Sequence, residues 1–406
     1  MSQRQPKRGF FLLEAINALG TAFYFNFLFF HMGARFGWTD RGNFALSATH
    51  GFIYIFAALY AGKFAQRCGY VRALRLGFAI MAVTLLAAGF VPGALTQVVL
   101  LIVWTVGVCF TWPTLEGAVS EGEPPARLMR MIGIYNLTWA GGAALGYFAG
   151  GALLETLGPR SIFFVPAALH AVQFALTFTL NLDRGNPADA NSAGANAPLN
   201  ERNTPRENPA LPPLNPRPIA RTRLFLRLAW FANPFAYIAI NSILPVIPSV
   251  ARKLELSPMQ AGFFCSIWLF ARLGAFLALW LWPGWHYRRG WFFGAYGVVT
   301  ISYLAILLSA NLAIFALAQV AFGLGLGLIY YSSLFYSMDL GDTKGEHGGF
   351  HEAAIGIGIF AGPAVGALAL HCWPHAPNAA AWTVGAVLFA GLLGALFIAR
   401  KTSPAR

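Results

Sequence analysis

Residues 183–223 read DRGNPADANSAGANAPLNERNTPRENPALPPLNPRPIARTR, with eight prolines and no Phe, Trp or Tyr. Such a stretch cannot bury enough apolar surface to offset the entropy of ordering it. Its composition therefore predicts a mostly disordered linker over 183–222. On either side the chain is apolar almost throughout, so the break separates two halves of nearly equal length, 1–182 and 223–406.

The 406 residues are 57% hydrophobic and only 11% charged, with a mean hydropathy of +0.58. Soluble domains carry about 25% charged residues, so this composition belongs to a membrane protein. A net charge of +13 could suit nucleic acid. The basic residues, however, sit in short loops between apolar runs, a pattern of membrane topology that excludes nucleic acid as a partner. Cys68, Cys109, Cys265 and Cys372 form no CxxC pair and no disulfide framework. Arg4, Lys7 and Arg8 precede an apolar run that continues to Met32 and contains Glu14. That run is too long for a signal peptide and reads as a retained first span.

Crossing about 30 Å of hydrocarbon takes about 20 residues, and twelve stretches qualify. They are 10–32, 43–62, 72–91, 95–116, 129–153 and 161–182, then 223–249, 258–282, 291–310, 312–337, 347–371 and 379–399. Backbone groups in lipid must be satisfied internally, so each is a helix. An even number of spans puts both termini and the linker on one side. That side carries 22 of the 28 Lys and Arg, while the other has Arg35, Arg41, Arg160, Arg252 and Lys253. The bias predicts cytoplasmic termini in a plasma (bacterial inner) membrane.

The halves echo each other. Sliding the second back by 216 residues lays Gly358, Gly362 and Gly366 on Gly142, Gly146 and Gly150, and pairs Asn17 with Asn233 and Asn136 with Glu352. Glycines every fourth residue line one helix face and let another backbone come close. The predicted fold is an all-α membrane protein of twelve helices in two six-helix pseudo-repeats. Parallel repeats of this kind suit a transporter with its site at their interface.

The loop after the second span reads Gly62-Lys63-Phe64-Ala65-Gln66-Arg67-Cys68-Gly69-Tyr70-Val71-Arg72. It resembles the G-x-L-x-D-R-x-G-R/K-R/K loop of the major facilitator superfamily, with Gly62, Arg67 and Gly69 in register and Arg72 one place late. Gln66 stands where the family has aspartate. The resemblance implies alternating access, a gating role for this loop, and a cavity lined by spans 1, 4, 7 and 10. It says little about substrate.

On those spans Asn17, Asn26, Asn233, Tyr237, Asn241, Tyr330 and Tyr331 are candidate substrate ligands, joined by Asn136 from the repeat pairing. Amides fix hydroxyls or carbonyls while rings supply apolar area, which suits a small polar organic molecule. Ionisable residues inside spans are functional candidates by default. Arg272, Glu14 and Glu352 each fall roughly 8 Å from the terminal side, counting 1.5 Å per residue, and are expected to cluster. Arg272 could hold an anionic substrate or pair with a carboxylate. Glu14, Glu352 and His50 are the candidates for proton coupling.

His347 with His351, and His371 with Cys372 and His375, approximate metal-ligand spacings. Gly348-Gly349 and Pro374 break both, so no metal is expected. No GxSxG, HExxH or P-loop is present, and no soluble domain could host a nucleotide or other cofactor. The reading is a monomeric secondary transporter of a small organic solute, not an enzyme. A non-transporting sensor on the same scaffold, or a membrane-embedded enzyme, is the alternative.

Overall fold

The computed structural model describes residues 7–179, 219–339 and 346–401, with side chains except at 125–126, 219 and 338–354. The linker reading thus lies outside the described residues, apart from Ile219–Thr222. Those four residues already belong to a helix, so the seventh span starts earlier than its apolar run suggests. Pro216 and Pro218 immediately precede it, and a helix can begin once prolines no longer restrict the backbone before them.

The first half contains α1 (Arg8–Phe36), α2 (Asp40–Cys68), α3 (Tyr70–Ala88), α4 (Ala94–Cys109), α5 (Trp112–Ser120), α6 (Pro125–Leu157) and α7 (Ser161–Thr179). The second contains α8 (Ile219–Ile243), α9 (Ile247–Lys253), α10 (Pro258–Cys265), α11 (Ile267–Leu281), α12 (Arg289–Leu308), α13 (Leu312–Asp339), α14 (Glu346–Cys372) and α15 (Ala379–Lys401). Among the described residues there is no strand, and twelve helical spans are long and apolar enough to cross a membrane. The protein is an all-α integral membrane protein.

Three spans are broken, each at a residue that interrupts the hydrogen-bond ladder. The fourth breaks between α4 and α5, ahead of Pro113, where Thr111 Oγ1 donates to Val108 O at 2.8 Å. The seventh tightens into a 3-10 turn, Leu244–Val246, around Pro245. The eighth breaks at Ser266, whose hydroxyl donates to Phe263 O at 2.9 Å.

The glycine faces act as the sequence predicts, with a revised register. A Cβ at Gly146 would strike the carbonyl of Leu19 on α1, and one at Gly362 would lie 2.6 Å from that of Ile238 on α8. The glycines are thus 216 residues apart, while the residues they meet, Leu19 and Ile238, are 219 apart. Asn17 accordingly matches Ala236, and Asn233 matches Glu14. The pairing of Asn17 with Asn233 does not hold, because the first spans of the halves are displaced three residues, nearly one turn, relative to the fifth.

Calling the side that carries Arg8 and Lys401 the terminal side, the two halves meet tightly on the far side. Ser249 Oγ donates to Asp40 Oδ1 at 2.5 Å, Asn43 Nδ2 to Pro245 O at 3.1 Å, and Met259 N to Glu155 Oε1 at 2.8 Å. Gly51 packs directly on the Phe360 backbone, and Gly151 on Pro258 O. These contacts close the far side.

Candidate functional site

A cavity of about 170 Å³ lies between the halves, lined from both. Asn26, ten residues from the far end of α1, stands at one limit. Glu116, four residues from the terminal end of α5, stands at the other. At 1.5 Å per residue these lie about 15 Å and about 6 Å from their helix ends, so the cavity runs from mid-membrane toward the terminal side.

Six predicted residues line it: Asn26, His50, Tyr237, Asn241, Arg272 and Tyr330. Asn26 Nδ2 donates to Ala22 O at 2.7 Å and Asn241 Nδ2 to Tyr237 O at 3.0 Å. A backbone carbonyl can only accept, so the amide nitrogens are fixed there and each Oδ1 is left as an acceptor. His50 Nδ1 lies 2.8 Å from Thr105 Oγ1, and Thr105 spends its own proton on Leu101 O at 2.7 Å. His50 must therefore donate through Nδ1, which leaves Nε2 as an acceptor.

Arg272 is 4% exposed, its guanidinium 4.3 Å from the Trp139 ring centroid and 4.8 Å from that of Trp268. Two ring faces stabilise a buried cation by cation–π attraction. Among the described residues Arg272 forms no ion pair. It lies nine residues before the end of α11, and Glu14 six residues after the start of α1. They stand about 13 Å and about 9 Å from the terminal-side ends, nearly one turn apart in depth rather than level.

Glu14 is fully buried behind the cavity. Tyr135 and Asn17 lie beside it and Glu116 within electrostatic range, yet neither carboxylate oxygen reaches a partner at full hydrogen-bond geometry among the described residues. The side chain of Glu352 lies outside the description, as do those of His347 and His351. No three His, Cys, Asp or Glu converge among the described residues.

Other candidates fall elsewhere. Asn17 donates to Thr111 Oγ1 at 3.2 Å and ties α1 to the break in the fourth span. Asn233 is buried away from the cavity. Asn136 and Tyr331 share a small separate pocket nearer the terminal side. Gly69, with φ of +93°, joins α2 to α3 in a single residue, a conformation that favours glycine. Arg67 and Arg72 are exposed there, and Gly62 has open space about it. Lys7 bridges nearby, donating to Val119 O at 2.8 Å and Glu121 O at 2.6 Å and pairing with Glu123 at 3.0 Å. Burial pushes the Glu121 carboxyl above its ordinary value, opposed by the Tyr70 hydroxyl and the Lys7 charge.

The sequence reading missed the aromatic walls, chiefly Phe25, Tyr54, Trp104, Trp139 and Trp268. Trp139 stacks on Tyr330 at 5.8 Å across the two halves. The available signal was spacing: Tyr135, Trp139 and Ala143 recur every fourth residue on α6, beside the glycine face.

A family model described as Major Facilitator Superfamily matches residues 10–348. The fold is similar to that of the nucleoside transporter NupG (TM-score 0.69, 12% identity, covering 97% of this chain and 98% of that one). It is also similar to a bacterial homologue of the human lysosomal transporter Spinster, solved inward-facing and unoccupied (TM-score 0.66, 13% identity, 98% and 97%). The sequence matches no curated protein.

Proposed function

This chain belongs to the major facilitator superfamily, and from that premise we propose that it is a secondary active transporter of a small organic solute, working by alternating access. One observation carries the reading: a largely apolar cavity with a few polar groups, lined by both halves, lies on the terminal side of a seal formed by Asp40–Ser249, Asn43–Pro245 and Glu155–Met259. Such a cavity becomes a transport site if the halves rock about it, breaking the far-side contacts as others form on the terminal side. The two halves, 1–182 and 223–406, would move as bodies joined by the 183–222 segment. Asn26, Asn241, Tyr237, Tyr330 and Arg272 would hold the solute.

The excess of Lys and Arg on the terminal side supports cytoplasmic termini in a bacterial inner membrane, so the described state would face the cytoplasm. Proton coupling is part of the reading. Glu14, buried with neither oxygen at full hydrogen-bond geometry among the described residues, is the carboxylate best suited to carry a proton between states, with Glu352 as the second candidate. His50, donating through Nδ1, is better suited to hold the solute.

Spin-label pairs test the rocking motion. One pair, at Arg41 and Lys253, reports the far side, and another, at Lys63 and Arg289, the terminal side. Under a changing pH gradient the two separations should change in opposite senses. Separations that stay fixed, or change together, would leave a static sensor as the better description.

A further inference from the structure

We propose that the solute is a small organic acid with a planar ring and at least one O–H or N–H donor. The inference rests on the transporter reading and deepens it by naming the substrate class.

The first element is Arg272. A guanidinium buried to this degree must be compensated, because a cation taken from water without a partner is costly. The rings of Trp139 and Trp268 lie 4.3 and 4.8 Å from its guanidinium carbon, and on its N–H edge Nε is buried with no hydrogen-bond partner among the described residues. That edge presents parallel N–H groups, the geometry that grips a carboxylate through two bonds. Among the described cavity-lining residues Arg272 is also the only cation and Glu116 the only carboxylate. Glu116 lies toward the terminal mouth, where it would repel a carboxylate and favour its seating at Arg272.

The second element is the set of acceptors. Asn26 Oδ1, Asn241 Oδ1 and His50 Nε2 are all left as acceptors by bonds their other atoms make. An acceptor facing a desolvated site needs a donor from the solute, so a molecule lacking O–H or N–H groups leaves them unpaired. The third element is the wall between. Phe25, Trp104, Trp268 and Tyr330 line the cavity with ring faces and edges that best complement a flat ring.

Binding is tested on purified full-length protein at neutral pH, by tryptophan fluorescence and calorimetry. The probes are 4-hydroxybenzoate, its neutral methyl ester, 4-hydroxybenzylamine and benzoate. The acid should bind, the ester should bind roughly tenfold or more weakly, and the amine not at all. Benzoate, which lacks the donor, should fall between acid and amine. Arg272→Gln should remove the preference of acid over ester, and Arg272→Lys should keep part of it. Should Arg272→Gln fail to fold, Asn241→Leu serves instead, narrowing the gap between 4-hydroxybenzoate and benzoate. Ester or amine binding as tightly as the acid, or no binding by either carboxylate at millimolar concentration, would overturn the proposal.

Flux in proteoliposomes separates this inference from the reading beneath it. An acid that binds but never crosses would sink the transporter reading and leave the acid site standing. A neutral or cationic solute that crosses through the cavity would do the reverse.

Discussion

Ser249 donates a 2.5 Å hydrogen bond to the carboxylate of Asp40, joining α9 of one half to the first residue of α2 of the other. Arg252 Nη2 donates to the same Ser249 oxygen at 2.8 Å, so a cation supports the bridge from behind. At the opposite corner Glu155 accepts the Met259 amide near the start of α10, where free N–H groups and the helix dipole favour a negative charge. Two carboxylates of the first half thus fasten the far side to two helix segments of the second.

These fastenings should set the balance between the two faces of the transporter. The Ser249 bond to the partly buried Asp40 carboxylate contributes about 1.5–3 kcal/mol net, and the solvent-exposed Glu155 bond contributes less. Asp40→Ala and Glu155→Ala are each expected to raise the far-open population several-fold, and their effects should add because the sites are separate. The Arg41–Lys253 spin-label pair would read the shift. Unchanged distance distributions in the double variant would show that apolar packing alone holds the seal.

The glycine faces predict a contrast in stability. Gly146→Ala would press a methyl into the Leu19 carbonyl, and overpacking of this kind costs about 1–3 kcal/mol. Gly274→Ala and Gly297→Ala meet nothing within contact range and should be neutral or slightly stabilising in a helix. Thermal unfolding in detergent distinguishes them. Equal melting temperatures for all three would mean α1 and α6 are not in close contact.

Thr105 should act through His50. In Thr105→Val the buried Nδ1–H loses its acceptor, a loss of about 1–3 kcal/mol, while Thr105→Ser keeps the oxygen and should behave as wild type. Nitrogen NMR of labelled histidine reads the tautomer directly. If wild type carries its proton on Nε2 instead, the acceptor assigned to the cavity is wrong.

Much of the fold was legible because the bilayer leaves few choices. Twelve apolar runs must be twelve helices, and glycines spaced by four must meet a neighbouring backbone. Within the site, Asn26, Asn241 and Arg272 stood out because polar side chains are scarce in spans and must be used or satisfied. Asn17 stood out for the same reason, and its amide donates to Thr111 at a helix break, a demand that only the packed helices reveal. The aromatic walls were illegible for the opposite reason. With 36 Phe, 13 Tyr and 12 Trp in the chain, Trp104 and Trp268 look like any ring that packs helices or faces lipid. The slip of three residues between repeats was equally hidden, because a single offset fits the fifth spans and misplaces the first.

The central claim is that one site opens alternately to each side, and a single cysteine tests it most directly. Ala143 lines the cavity and is half-buried, so Ala143→Cys in a background without Cys68, Cys109, Cys265 and Cys372 gives one reporter. A membrane-impermeant thiol reagent is applied from each side in turn. The measurement is then repeated with Asp40→Cys and Ser249→Cys first tied by a short bifunctional thiol crosslinker. Alternating access predicts labelling from both sides when the seal is free, and loss of far-side labelling alone when it is tied. Labelling only from the terminal side in both cases, or far-side labelling that the tie leaves unchanged, would contradict it.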